Sequence, residues 1–123
     1  MERLLYLDEG LPLRLAAELQ ARGHAAQALR RDPGAPIADA ELIRSLAGRH
    51  GDRVVLVTTD DALPREHGAL LRASNLAVAL VGAGRGEAYK RETVHRWAHV
   101  MASQPAGTVR RYTPRGPRPV RPG

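Results

Sequence analysis

Residues 53–61 read Arg-Val-Val-Leu-Val-Thr-Thr-Asp-Asp (RVVLVTTDD). An unbroken apolar run of this length, rich in β-branched residues, is the pattern of a strand buried on both faces, as in a parallel sheet with helices on each side. It ends in two aspartates. Two more short runs share its character: Leu4-Leu5-Tyr6-Leu7, which also ends in acids (Asp8-Glu9), and Leu76–Val81 (LAVALV). His24–Leu29 is a weaker, alanine-rich strand candidate, and Val109–Thr113 a short final one.

The segments between these runs have helical spacing. Leu11, Leu15 and Leu19 recur at every fourth residue after Pro12 and stop at Gly23. Asp39 is placed to N-cap a second helix whose Leu42, Ile43, Leu46 and Ala47 share a face. Pro64–Asn75 reads as a third helix with Leu70 and Leu71 inward. A long fourth runs from about Glu87 to Ser103 with Val94, Trp97, Ala98 and Met101 inward. Asp32-Pro33-Gly34 and the glycine-rich Gly82–Gly86 read as turns. Strands alternating with helices predict an α/β fold: a three-layer α/β/α sandwich with a mainly parallel central sheet.

The 123 residues suit one domain, since domains commonly hold roughly 100–150. Residues 1–113 are expected to form it. Residues 114–123, with four prolines and three arginines, are expected to be a flexible basic tail. The absence of cysteine excludes disulfides, thiolate metal sites and a cysteine nucleophile. It also fits a cytoplasmic location. No apolar run approaches the roughly 20 residues of a membrane span, and the opening Met-Glu-Arg is not that of a signal peptide. With no phenylalanine, one tryptophan and three tyrosines, the chain lacks the aromatic platforms that stack RNA bases. The net charge of +6 is uneven: residues 1–84 carry −1, residues 85–109 carry +2, and residues 110–123 carry +5. A polyanion partner inferred from charge alone would be a partner of the C-terminus.

Parallel sheets collect functional side chains beyond the carboxyl ends of their strands. Asp8-Glu9 and Asp60-Asp61 lie there, and Asp39 with Glu41 opens the helix that feeds the RVVLVT strand. Carboxylates gathered on one sheet edge repel one another and invite a cation. Oxygen-only ligands suit Mg²⁺ or Mn²⁺. Two residues apart on a helix, Asp39 and Glu41 point about 200° apart, so one of them faces a shared site.

The segments Tyr6-Leu7-Asp8-Glu9-Gly10-Leu11-Pro12, Ala38-Asp39-Ala40-Glu41-Leu42 and Leu56-Val57-Thr58-Thr59-Asp60, with Leu19 through Gly23-His24 between them, resemble the compact PIN-like domains, VapC-type toxins included. The likeness spans roughly residues 4 to 113. It implies a metal-dependent endoribonuclease that hydrolyses RNA phosphodiester bonds to leave a 5′-phosphate and a 3′-hydroxyl, acting as the toxin of a toxin–antitoxin pair. By the same likeness Asp8, Asp39 and Asp60 would be the catalytic metal carboxylates for Mg²⁺ or Mn²⁺. Glu9, Glu41 and Asp61 would be auxiliary, and Thr58 would bond a carboxylate or the scissile phosphate. RNA, a cognate antitoxin and a second copy of the chain are the implied partners. Arg85, Lys90, Arg110 and Arg111 are candidates for the RNA backbone. The chain departs from the family pattern where Ala62-Leu63 follow Asp61, which stands one position early, and it has no clear counterpart of the helical glutamate of longer members. These departures leave a second reading, a non-catalytic PIN-like module that binds RNA or protein.

Three other patterns are weaker. Gly82–Gly86 has no third glycine at the position a dinucleotide loop requires and no acid about twenty residues later. His95 and His99 are spaced for one helix face but lack a neighbouring glutamate motif. A receiver-like domain would need a lysine ending a late strand, and the only lysine, Lys90, falls within a helix.

Overall fold

The computed structural model describes residues 2–35 and 38–121. Among them the strands β1 (Leu4–Leu7), β2 (Ala26–Ala28), β3 (Val54–Thr58), β4 (Ala77–Val81), β5 (Val109–Thr113) and β6 (Gly116–Pro119) form one sheet in the order β2-β1-β3-β4-β5-β6. The first five are parallel and β6 is antiparallel to β5. The helices are α1 (Leu15–Ala21), α2 (Asp39–His50), α3 (Leu63–Glu66), α4 (Gly68–Ser74) and α5 (Glu87–Ala102). Among the described residues no helix is long and apolar enough to cross a membrane.

Every residue of β3 and β4 is buried. Their alternating side chains divide the interior into two cores. Val55, Val57, Ala77, Ala79 and Val81 face α1 and α5, where Leu15, Leu19, Val94, Ala98 and Met101 pack. Val54, Leu56, Val78 and Leu80 face Leu42, Ile43 and Leu46 of α2 and Leu71 of α4. Helices therefore cover both faces of the sheet. The steps β3 to β4 and β4 to β5 run the same way along the sheet, yet their helices lie on opposite faces. The two crossovers consequently have opposite hands, against the usual uniform preference. The arrangement sets α5 beside α1, over a face that the short α1 could not cover alone.

Several boundaries differ from those read in the sequence. The third helix is two, α3 and α4, because His67 leaves helical geometry (φ −123°, ψ 26°). It ends where Asn75 turns left-handed at φ 57°. Asp39 is not an N-cap: Ala38 holds that position with extended backbone, and Asp39 is already the first helical residue. Trp97 is only partly buried, with its indole N–H donated to the Thr113 carbonyl at 2.9 Å.

The expected flexible tail is the largest correction. Residues 116–119 form β6, pairing Arg111 with Arg118 and Tyr112 with Pro117. The Val120 amide donates to the Val109 carbonyl at 2.8 Å. By the two-residue period, Gly116 and Arg118 also turn toward β5, so Pro117 and Pro119 fall where a strand amide would face solvent. Prolines that argue against secondary structure in general are compatible with this one edge register. Residues 122 and 123 of the expected tail lie outside the described residues.

A buried amide joins β5 to the sheet. The Gln104 side chain donates to the carbonyls of Val78 (2.9 Å) and Thr108 (3.0 Å) and accepts the Tyr112 hydroxyl (2.9 Å). Replacing it by leucine takes the Gln104 acceptor from the buried Tyr112 hydroxyl and one donor from each carbonyl, although the Thr108 carbonyl still accepts the Val78 amide at 2.9 Å. A buried unsatisfied group costs about 1–3 kcal/mol. Gln104→Leu is expected to lower the free energy of unfolding by about 1–3 kcal/mol in urea titrations.

Candidate functional site

Leaving β1, the chain steps to β2 on one side and crosses back to β3 on the other. This reversal opens a crevice beyond the carboxyl ends of β1 and β3. A cleft of about 430 Å³ lies there, with Asp8, Glu9, Arg30, Asp32, Asp39 and Asp60 among its lining residues.

Asp8 is the first residue after β1, and its amide donates to the Val57 carbonyl of β3 at 2.9 Å. Its carboxylate accepts the Glu9 amide at Oδ1 (2.8 Å) and the Thr58 hydroxyl at Oδ2 (2.7 Å). Thr58 is fully buried, and its Oγ1 also accepts the Asp60 amide at 3.1 Å. One threonine thus orients the acids that follow both strands. Asp60 caps its own turn, Oδ1 accepting the Ala62 amide at 3.1 Å. Gly10 permits the close approach of the two acidic turns, because a Cβ there would collide with Thr59 Oγ1.

Asp39 reaches the same cleft from the first turn of α2. Burial raises its pKa above the ordinary carboxylate range, and the neighbouring charges of Asp60 and Asp8 raise it further. The repulsion is what a bound cation would relieve, and the donors Asp8, Asp39 and Asp60 have the oxygen-only chemistry that Mg²⁺ and Mn²⁺ accept. Among the described residues, no three acidic or histidine side chains are gathered tightly enough to make a ready-formed metal centre.

The remaining candidates separate. Glu9 lines the cleft with an exposed side chain. Glu41 is exposed on α2 and does not line the cleft, as the 200° offset from Asp39 requires. Asp61 is also outside it: its carboxylate accepts Arg111 Nε at 3.2 Å, beside a small cleft that Arg85 and Tyr89 also line. Arg85 stacks over the Tyr89 ring at 4.9 Å. Arg110 and Arg111 are neighbours on β5 and so point to opposite faces. Lys90 lies close to the acidic cleft, its Nζ donating to the Gly10 carbonyl at 3.2 Å. His95 and His99 do not converge: His95 meets Glu18 and Arg22, and His99 meets Glu2. Gly82 and Gly84 have positive φ (65° and 72°), as tight turns require.

The sequence did not single out Asp32 or Arg30 for the site. Asp32 Oδ2 accepts both the buried Tyr6 hydroxyl (2.8 Å) and Arg49 Nη1 (2.9 Å). The Tyr6 bond and then the Arg49 bond hold its carboxyl below the usual range. Burial, with Asp32 beside it, pushes the Tyr6 phenol up. The triad ties the wall of the cleft to β1 and α2. No local pattern marks it, because only the pairing of β1 with β2 brings residue 32 within bonding distance of residue 6.

The chain matches no family model, and no curated protein or solved structure is significantly similar to it.

The raised pKa of Asp39 has a defined consequence for stability. A carboxyl that holds its proton more tightly when folded favours the native state below the unfolded pKa and opposes it once ionised. Asp39→Asn is therefore expected to be more stable than the parent at neutral pH, with the difference vanishing as pH falls through the carboxylate range. Thermal melts across that range check this, and Mn²⁺ should raise the melting temperature of the parent more than that of the variant.

Proposed function

We propose that this protein is a Mg²⁺- or Mn²⁺-dependent endoribonuclease of the PIN-like kind that acts in the cytoplasm. The observation that supports this reading is the meeting of Asp8, Asp39 and Asp60. Three separate elements deliver them to one cleft at the switch point of the sheet, with Thr58 bonded beneath Asp8. In this reading the three carboxylates hold the divalent ion. When bound, it neutralises charge on the scissile phosphate and lowers the pKa of water for in-line displacement.

The chain's own residues do the positioning. Thr58 fixes the Asp8 carboxylate and, through the Asp60 amide, the turn that carries the second acid. Glu9, at the exposed rim, orients groups through solvent. Glu41 and Asp61 are left out of the chemistry by their positions. Hydrolysis would leave a 5′-phosphate and a 3′-hydroxyl. The likeness of the Asp8, Asp39 and Asp60 segments to VapC-type toxins supports the role of toxin in a toxin–antitoxin pair, with the antitoxin as partner.

Cleavage of a labelled single-stranded RNA in Mn²⁺ tests the reading. Asp8→Asn and Asp60→Asn are each expected to slow it by roughly 100-fold or more while circular dichroism stays unchanged. EDTA should abolish it. Cleavage that survives EDTA or both substitutions would overturn the mechanism, and RNA binding without cleavage would point to the non-catalytic module. Thr58→Val is expected to weaken Mn²⁺ binding about 10–100-fold in calorimetric titrations, the usual effect of losing a ligand's supporting bond.

A further inference from the structure

An acidic cleft repels the polyanion it is proposed to cut, so attraction must come from cations close beside it. A second groove, of about 330 Å³, adjoins the cleft and shares Gly10 and Arg30 with it. Lys90, Glu87 and Leu13 also line this groove. Arg30 comes from the turn after β2 and Lys90 from α5, and they converge on consecutive carbonyls of one thin turn. Arg30 Nη2 donates to the Glu9 carbonyl, and Lys90 Nζ to the Gly10 carbonyl.

The acceptors matter. Arg49, Arg91, Arg96 and Arg111 each rest on a carboxylate, which offsets their charge. Arg30 and Lys90 rest on neutral carbonyls instead. Neither forms an ion pair among the described residues, and Glu87 is the one carboxylate lining the groove. The cleft of Arg85 and Arg111 competes poorly: Asp61 offsets Arg111, and that cleft shares no lining residue with the acidic one. Leu13, the one large apolar side chain exposed among the described residues, lies in the same groove and offers a surface to a nucleoside.

We infer that Arg30 and Lys90 form a phosphate subsite. The RNA strand passes over Gly10 from the acidic cleft and lays the phosphate next to the scissile one between these two side chains. The inference rests on the ribonuclease reading and names the path of its substrate. Because the two cations bind through charge, they contribute affinity without base preference, and that affinity falls with salt.

The test uses the full chain, a short fluorescent oligouridylate and Mn²⁺, with anisotropy recorded across a potassium chloride series and RNA integrity checked on gels. Arg30→Gln with Lys90→Gln keeps an N–H donor for each carbonyl and removes both charges. The slope of log affinity against log salt should fall by about 0.7, the value for one phosphate neutralised on a single strand. Mn²⁺ affinity should not fall, because neither side chain is among the carboxylates that would hold the ion. Arg53→Gln, at the opposite end of the sheet beside Asp52 and Arg3, should leave the slope intact. If the parent binds Mn²⁺ and RNA but the double variant keeps the parental slope, the two cations are only clips for the turn and the subsite is overturned while the ribonuclease reading stands. If the parent binds neither Mn²⁺ nor RNA, the ribonuclease reading fails and the subsite fails with it. Lys90→Glu, which places a second carboxylate in the groove, should weaken RNA binding more than Lys90→Gln; equal effects would also overturn the subsite.

Discussion

The parallel pairing of β1 with β3 is the constraint on which this molecule depends. Its register sets Leu7 against Val57, so that the next residue of each strand is Asp8 on one and Thr58 on the other. The 2.7 Å bond between them links the two acidic turns before any ligand arrives. The same pairing makes β1 the point where the chain reverses direction across the sheet, and so opens the crevice into which α2 delivers Asp39. A slip of one residue would move the hydrophobic set of β1 to the other face and separate the pair.

Charge is organised more locally than the net value suggests. The acids at the switch point lie in the segment that is close to neutral overall, and burial, with the charges of Asp60 and Asp8, raises the pKa of Asp39. Around them, Arg49 is offset by Asp32, whereas Arg30 and Lys90 are held on backbone carbonyls. The C-terminal arginines belong partly to an ordered hairpin: Arg110 and Arg111 sit on β5 and Arg118 on β6. A basic C-terminus read as a free arm is in large part an edge of the sheet, carrying charge at fixed positions. Arginine on an exposed edge strand also discourages pairing with further chains.

Much of the architecture was legible because its signals are local. RVVLVT and LAVALV announce strands buried on both sides, and both lie in the interior of the sheet. Val109–Thr113 has the bounds read for it. Helix boundaries were less legible: His67 breaks what spacing alone reads as one helix, and Asp39 lies one position inside the helix it was expected to cap. β6 was illegible for a definite reason. Its prolines are tolerated only in the register that β5 imposes, and a register is a property of two segments.

The site divides along the same line. By itself the sequence determined that acids follow β1 and β3, that one of Asp39 and Glu41 faces away, and that both faces of the sheet are covered. These are consequences of residue order and of the periods of helix and strand. Only the tertiary structure decided that Asp39 joins Asp8 and Asp60 while Asp61 turns to Arg111. It alone brought Asp32 against Tyr6, and Arg30 and Lys90 onto one turn. Those contacts join residues far apart in the chain, and their geometry is set by strand order, register and helix rotation.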